Sequence, residues 1–282
     1  MGDIFSGLES LGFAGLSGVK IYDEEKKEQA KSNEEKKEEK VINESDFLFD
    51  KKLTCPVCDK EFKTKTVKTG KPRLIGSDPD LRPKYLGIDS IKYDAIVCPN
   101  CGYAALSRYF SYMTSAQAKL IKDNVSSSFK GLPPSGEIYS YDEAIARHKL
   151  ALLNTVVKKA KNSERAYTCL KIAWLFRGKQ ENVPDNFPNK EKAIESWKEA
   201  ERDMVNNAFS GFKVAMEKED FPICGMDEAT FTYMLAVLAD KVGAEEDCAK
   251  LISQLLVSHT ANPRIKDKAR FLRDEIKARK TQ

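Results

Sequence analysis

Apolar and polar positions divide the chain into three regimes. Residues 4 to 21 place Ile4, Phe5, Leu8, Leu11, Phe13, Leu16, Val19 and Ile21 among glycines. Ile4, Leu8 and Leu11 fall on one face of a helix, but Gly7, Gly12, Gly15 and Gly18 each cost a free helix about 1 kcal/mol relative to alanine. Residues 1–22 therefore read as an apolar, Gly-rich segment suited to docking, either on a partner or on the chain's own surface. The stretch "DEEKKEQAKSNEEKKEEK" that follows has no apolar side chain except Ala30. It buries too little to offset chain entropy, so residues 23–46 read as a charged, disordered linker.

Residues 47–106 carry strand signals. "EFKTKTVKTGKPRLI" alternates and turns at Thr69-Gly70, which predicts a hairpin. "IKYDAIVC" alternates Ile91, Tyr93, Ala95 and Val97, which predicts a strand, and "GSDPDLRPKYLGID" has the composition of a loop. From Ser107 the period becomes helical. Thr114 with Gln117 and Ser140 with Glu143 have the spacing of capping boxes, separated by Gly131 and "LPPSG". Ile145, Leu152, Val156 and Ala160 mark one helix face. Leu170, Ala173, Trp174 and Arg177 mark the next, with Gly178 placed just past its end. Ala193, Trp197, Ala200, Met204, Ala208 and Phe212 trace a long helix after Pro188-Asn189. "DEATFTYMLAVLADKVG" and "AEEDCAKLISQLLVS" make a pair, and Asn262-Pro263 opens a last helix with Ile265, Ala269, Leu272 and Ile276 inward. "IAWLFRGKQ" (172 to 180) and "LAVLADKVG" (235 to 243) match in type at a spacing close to two 34-residue helix–turn–helix units. Residues 107–282 thus read as a tetratricopeptide-like helical domain, with an irregular helical bundle as the alternative.

The cysteines give the strand regime its chemistry. "CPVC" at 55 to 58 and "CPNC" at 98 to 101 are two Cys-x-x-Cys pairs. Each such turn sets two sulfurs on one side of an ion, and Gly102 permits the tight turn a knuckle needs. Cys55, Cys58, Cys98 and Cys101 together complete a four-thiolate shell for one structural Zn2+. The expected fold is accordingly mainly α with a small β zinc ribbon. The intervening 39 residues exceed the usual ribbon spacing of about fifteen to twenty, yet doubling a loop adds only about 0.6 kcal/mol of closure entropy. Structural zinc supplies on the order of 10 kcal/mol. Thiol redox chemistry is the rival, but such motifs require a helix after the pair, and "DKEFKTKTV" after Cys58 is strand-like. Cys169, Cys224 and Cys248 read as small buried hydrophobes.

Four thiolates leave no open position for a substrate or water. The chain has only two histidines, His148 on an apolar helix face and His259 in a loop, and no Walker, Rossmann, nucleophile-elbow or His-Glu-x-x-His pattern. No catalytic residue is assigned, and the expectation is a protein that is not an enzyme. Net charge is only +4, but residues 51 to 101 hold 11 basic and 6 acidic side chains. Lys63, Lys65, Lys68, Lys71, Arg73, Arg82 and Lys84 are the candidate nucleic-acid contacts, with Tyr85 and Tyr93 nearby for stacking. The alternation of Lys63 and Lys65 with threonines equally suits the wet face of any hairpin. No run of eighteen apolar residues and no signal-peptide pattern occur, so the expected location is the cytoplasm.

The stretches "LFDKKLTCPVCDKEFKTKTVKTGKPRL", "DLRPKYLGIDSIKYDAIVCPNCGYAAL" and "LAVLADKVGAEEDCAKLISQLL" with "IKDKARFLRDEI" resemble the bacterial proteins grouped as domain of unknown function 2225, found largely in Gram-positive anaerobes. The resemblance covers about residues 47 to 282 and is looser in the middle helices. It implies a zinc ribbon on a tetratricopeptide-like domain with no established activity, its shared cysteines falling on Cys55, Cys58, Cys98 and Cys101. Asp240, Lys241 and Cys248 depart from the tetratricopeptide pattern of the related tails. The leading expectation is a non-enzymatic adaptor that presents its helices to a protein or peptide partner. A ribbon that binds nucleic acid, RNA before DNA, is second. A thiol-redox or otherwise cryptic enzyme is third.

Overall fold

The computed structural model describes residues 43–281. The docking segment 1–22 and the linker as far as residue 42 lie outside the described residues. The linker's last residues are part of the fold. Glu44 opens a short 3-10 turn, Glu44–Phe47, and its carboxylate holds Lys92 Nζ at 2.7 Å and accepts from the Tyr93 hydroxyl at 2.8 Å.

Six short strands follow as three separate antiparallel pairs: β1 (Leu48–Thr54) with β2 (Glu61–Val67), β3 (Leu74–Ser77) with β4 (Pro83–Tyr85), and β5 (Ala95–Val97) with β6 (Ala104–Leu106). This corrects the expected hairpin across Thr69-Gly70. Gly70 does turn, with φ 75, but its flanks pair elsewhere. β2 runs against β1 from Leu48 opposite Val67 to Thr54 opposite Glu61. The first cysteine knuckle joins those two strands directly, so the shortest closure wins over the alternation signal. The segment assigned to loop contributes β4. The strand expected from Ile91 onward starts only at Ala95, because the Asp89 side chain accepts from the Ile91 amide and caps a 3-10 turn, Ser90–Tyr93.

Among the described residues seven α-helices complete the fold: α1 (Ser115–Ile121), α2 (Tyr141–Val157), α3 (Asn162–Glu181), α4 (Lys190–Lys218), α5 (Glu228–Lys241), α6 (Glu245–Val257) and α7 (Pro263–Lys280). Thr114 forms both halves of its capping box with Gln117. At Ser140 only the hydroxyl half exists, since Glu143 turns to Arg147 and Ser135. Val156 is largely exposed and Ala160 lies beyond α2, so the buried face of that helix is Ala144, Ile145, His148, Ala151 and Thr155 instead. Gly178 is interior to α3, where a side chain would meet Tyr141 at 2.7 Å. The largest apolar cluster joins Leu170, Trp174 and Phe176 of α3 to Phe209 and Phe212 of α4, Phe231 and Leu238 of α5, and Leu251 and Leu255 of α6. Ala269 and Leu272 of α7 close it, as the sequence period predicts. The two similar segments lie on α3 and α5. The chain is therefore mainly helical, with small strand pairs. Among the described residues no helix is long and apolar enough to cross a membrane.

The loop between β3 and β4 is driven into this helical core. Asp80 is fully buried, and its carboxylate accepts from Arg177 of α3 at 2.8 and 3.1 Å and from Lys241 of α5 at 2.7 Å. Arg177 also holds Glu201 of α4 at 2.7 Å. Burial opposes ionisation of Asp80, but the hydrogen bonds and charge of Arg177 and Lys241 win and hold it far below the usual carboxylate range. One loop carboxylate thus ties α3 to α5, and Arg177 extends the link to α4 through Glu201.

Candidate metal centre

Each knuckle is built the same way. The Cys55 amide donates to Lys60 O at 3.0 Å, and the Asp59 amide donates back to Cys55 O at 2.9 Å. At the second pair the Cys98 amide donates to Tyr103 O at 2.8 Å and the Gly102 amide to Cys98 O at 3.0 Å. In both, the residue just after the second cysteine is left-handed, with φ 58 at Asp59 and 72 at Gly102. Aspartate tolerates that region better than most residues, and glycine fits it freely. Gly102 is needed for space as well, because a side chain there would meet Phe129 at 2.5 Å. Sequence inspection found Gly102 but missed Asp59, whose matching offset was the available signal.

The two knuckles face each other across β1–β2 and β5–β6. All four sulfurs lie within 4.8 Å of one another. Cys55 and Cys101 are 3.6 Å apart and Cys58 and Cys98 are 3.7 Å apart. Disulfide sulfurs sit at about 2.05 Å, so these are four free thiols. Four ligands at about 2.3 Å in a tetrahedron have sulfurs about 3.8 Å apart, close to the spacing of the Cys55–Cys101 and Cys58–Cys98 pairs. These four cysteines could bind a metal ion.

The surroundings supply rigidity and partial compensation of charge. The Val57 amide points at Cys55 Sγ at 3.4 Å. The hydrogen bond with Cys101 first, and burial second, hold the Cys55 thiol above its ordinary range. Burial first, eased by the amides of Asn100 and Cys101, raises Cys98. Without a cation, Cys55 and Cys98 therefore resist ionisation. Ligation to a cation requires the thiolates and expels the protons. A disulfide-exchange nucleophile needs the opposite, a lowered pKa at a helix N-terminus, and Cys58 is followed by β2. Phe62, Tyr103, Phe110, Ile121 and Val125 wrap the cluster. Tyr103 donates to Phe110 O at 3.0 Å, and Asn154 of α2 donates to Gly102 O at 3.2 Å. Tyr103 and Asn154 are positioning residues that carried no distinctive sequence signal.

The basic candidates divide among different neighbours. Lys63 is exposed and Lys65 half-buried on β2, flanking the buried Thr64. Lys68 and Lys71 donate to the Asp46 carbonyl at 3.0 and 2.7 Å. Arg73 is exposed. Arg82 is 4% exposed and lies among Asp78, Asp89 and Glu181, while Lys84 holds Asp78 at 2.8 Å. Of the remaining cysteines, Cys169 and Cys248 are buried as small hydrophobes. Cys224 is half-buried in a loop, where the Tyr109 hydroxyl lies 3.4 Å from its sulfur. His259 is exposed. His148 is wholly buried, with Nδ1 2.7 Å from Ala144 O.

A four-cysteine cluster in paired knuckles, packed on a helical core, defines a protein with a ribbon-type candidate metal centre. The chain belongs to the family described as "Uncharacterized protein conserved in bacteria (DUF2225)", whose model matches residues 48–276. No curated protein and no solved structure matches it.

Proposed function

We propose that the chain is a non-enzymatic adaptor whose ribbon is held by one structural Zn2+ on Cys55, Cys58, Cys98 and Cys101. The observation that carries this is the closed group of four sulfurs within 4.8 Å. Thiolate donors in that number suit zinc, and a filled shell offers no position at which to activate water. The helices then supply a tetratricopeptide-like surface. A cleft of about 500 Å³ between α6 and α7 has Ala249, Ile252, Leu256 and Ile276 on its floor. Its rim has four basic residues, Arg273, Lys277, Arg279 and Lys280, against two acidic ones, Asp240 and Glu245. That charge favours an apolar peptide segment flanked by acidic residues.

The test is partner recovery from native lysate, with and without nuclease, on the wild type and Ala249→Arg. Ala249 is exposed on α6, so the variant blocks the cleft without entering the core. Recovery that survives nuclease and is lost in Ala249→Arg supports the adaptor. Recovery abolished by nuclease favours a ribbon that binds nucleic acid.

A further inference from the structure

A four-sulfur site does not need 39 residues between its knuckles, and these residues also wall a second cavity. The β3–β4 hairpin and the turn after it line one side of a cleft of about 560 Å³. Tyr141 at the start of α2, with Glu181 and Asn182 at the end of α3, lines the other side. Arg82 lies in this cleft, buried yet underused. Its Nε and Nη1 make no hydrogen bond among the described residues. Nη2 reaches Asp89 Oδ2 only at 3.5 Å. Nη1 is 2.9 Å from Glu181 Oε2, a charge contact without an aligned N–H. A guanidinium has five donors in a fixed fork, and leaving them unmade in a buried place is costly. Lys84 stands beside it, 3.6 Å from the other Glu181 oxygen.

The carboxylates around Arg82 are not equivalent. Asp78 and Asp89 have side chains 14% and 13% exposed, and Asp78 also serves Arg177. Glu181 is 40% exposed, sits at the last position of α3, and touches nothing but Arg82 and Lys84 among the ion pairs. It is the carboxylate free to leave.

We propose that this cleft binds a compact, singly charged oxyanion, a carboxylate or a monoanionic phosphate group, which displaces the Glu181 carboxylate. The incoming group takes the spare Arg82 donors in a forked geometry, with Lys84 as the second cation. The exchange is one negative charge for another, so the ring of charges stays balanced. The site shares no residue with the cysteine cluster or the α6–α7 cleft, and it stands or falls independently of the zinc and adaptor readings.

The experiment is a backbone-amide NMR titration of the full chain at constant ionic strength, with acetate in one arm and inorganic phosphate at pH 6 in the other. Saturable shifts at residues 82 to 89 and 181 to 182 are expected with at least one anion. The tighter arm identifies the carboxylate or the phosphate source. Glu181→Gln removes the occupant and should tighten binding about tenfold, the worth of one charge-assisted hydrogen bond. Lys84→Met should weaken it about tenfold on the same grounds. Lys63→Ala, outside the cleft, should leave affinity unchanged. The proposal is overturned if neither anion gives saturable shifts in wild type and Glu181→Gln. It is equally overturned if Lys84→Met binds like wild type, or if Glu181→Gln lowers the melting temperature with no gain in affinity, which would make Glu181 a structural counter-ion.

Discussion

The ribbon and the helical core are held by different physics. Around α3, burial does the work: Leu170, Ile172, Ala173, Leu175 and the indole of Trp174 are almost or wholly out of water. Each large side chain buried there is worth roughly 1.5–3 kcal/mol. The ribbon has strands of three to seven residues in isolated pairs, and a two-stranded pair alone is marginal in water. Its apolar cluster is small and is centred on the sulfurs. Removing side chains from the helices should erode stability by degrees, whereas on the proposed reading removing the ion from the ribbon should abolish it at once. Between them the Asp80 loop is a third device, neither apolar nor metallic, that fastens the insert of the ribbon to α3 and α5.

The largest expected effect comes from the metal. Stripping zinc with a chelator, or Cys55→Ser, should remove on the order of 10 kcal/mol from the ribbon. Most of the helical circular dichroism should remain, while protease should gain access to residues 48 to 106. Loss of the whole helical signal would erase the contrast between the two regions.

Next comes the fastener. Asp80→Asn keeps the size but removes the buried charge shared by Arg177 and Lys241, leaving Arg177 with Glu201 and Asp78 alone and Lys241 without its carboxylate. Breaking a buried pair in this way costs about 3–5 kcal/mol, read as a lower urea midpoint. Because Asp80 is held far below its ordinary pKa in the fold, its contribution is present above the unfolded value near 4 and fades as pH falls below it. A wild-type-like midpoint for the variant would show that the loop is not a fastener.

A smaller effect should appear in the acid range. Burial first, against the pull of Asp94, lowers His148 from 6.5 to about 4. The unfolded chain therefore takes the proton before the fold does. Stability from this residue is complete above pH 6.5 and is lost as pH falls toward 4, about 3 kcal/mol in all. The slope of urea midpoint against pH across that window should flatten in His148→Gln, whatever the variant's absolute stability. Smallest is the cap of α1: Thr114→Ala removes the acceptor of the Gln117 amide and should cost about 1 kcal/mol, measured by thermal melting.

What could be read from the sequence followed how local the signal was. The cysteine pairs are four residues long and carry their own geometry, so the site was legible. Helices α4 to α7 were legible from period and, for α7, from the cap at Asn262 with Pro263. The strand partners were not, because pairing is decided by which ends the knuckles bring together, a constraint between distant residues. Within the stretch read as loop, residues 78 to 82 do form one between β3 and β4, but nothing local says that Asp80 will be buried. The clue was Arg177, a cation on the apolar face of α3 beside Leu170 and Trp174, which required an acid from somewhere else. Glu44 escaped notice for the same reason, its partners Lys92 and Tyr93 being 48 and 49 residues away.

The most direct measurement is elemental analysis of the purified full chain, paired with thiol titration in denaturant before and after chelation. We expect about one zinc per chain, with the thiols of Cys55, Cys58, Cys98 and Cys101 becoming reactive only when that ion is withdrawn. A folded ribbon free of metal, or a disulfide joining Cys55 to Cys58 in its place, would contradict the account.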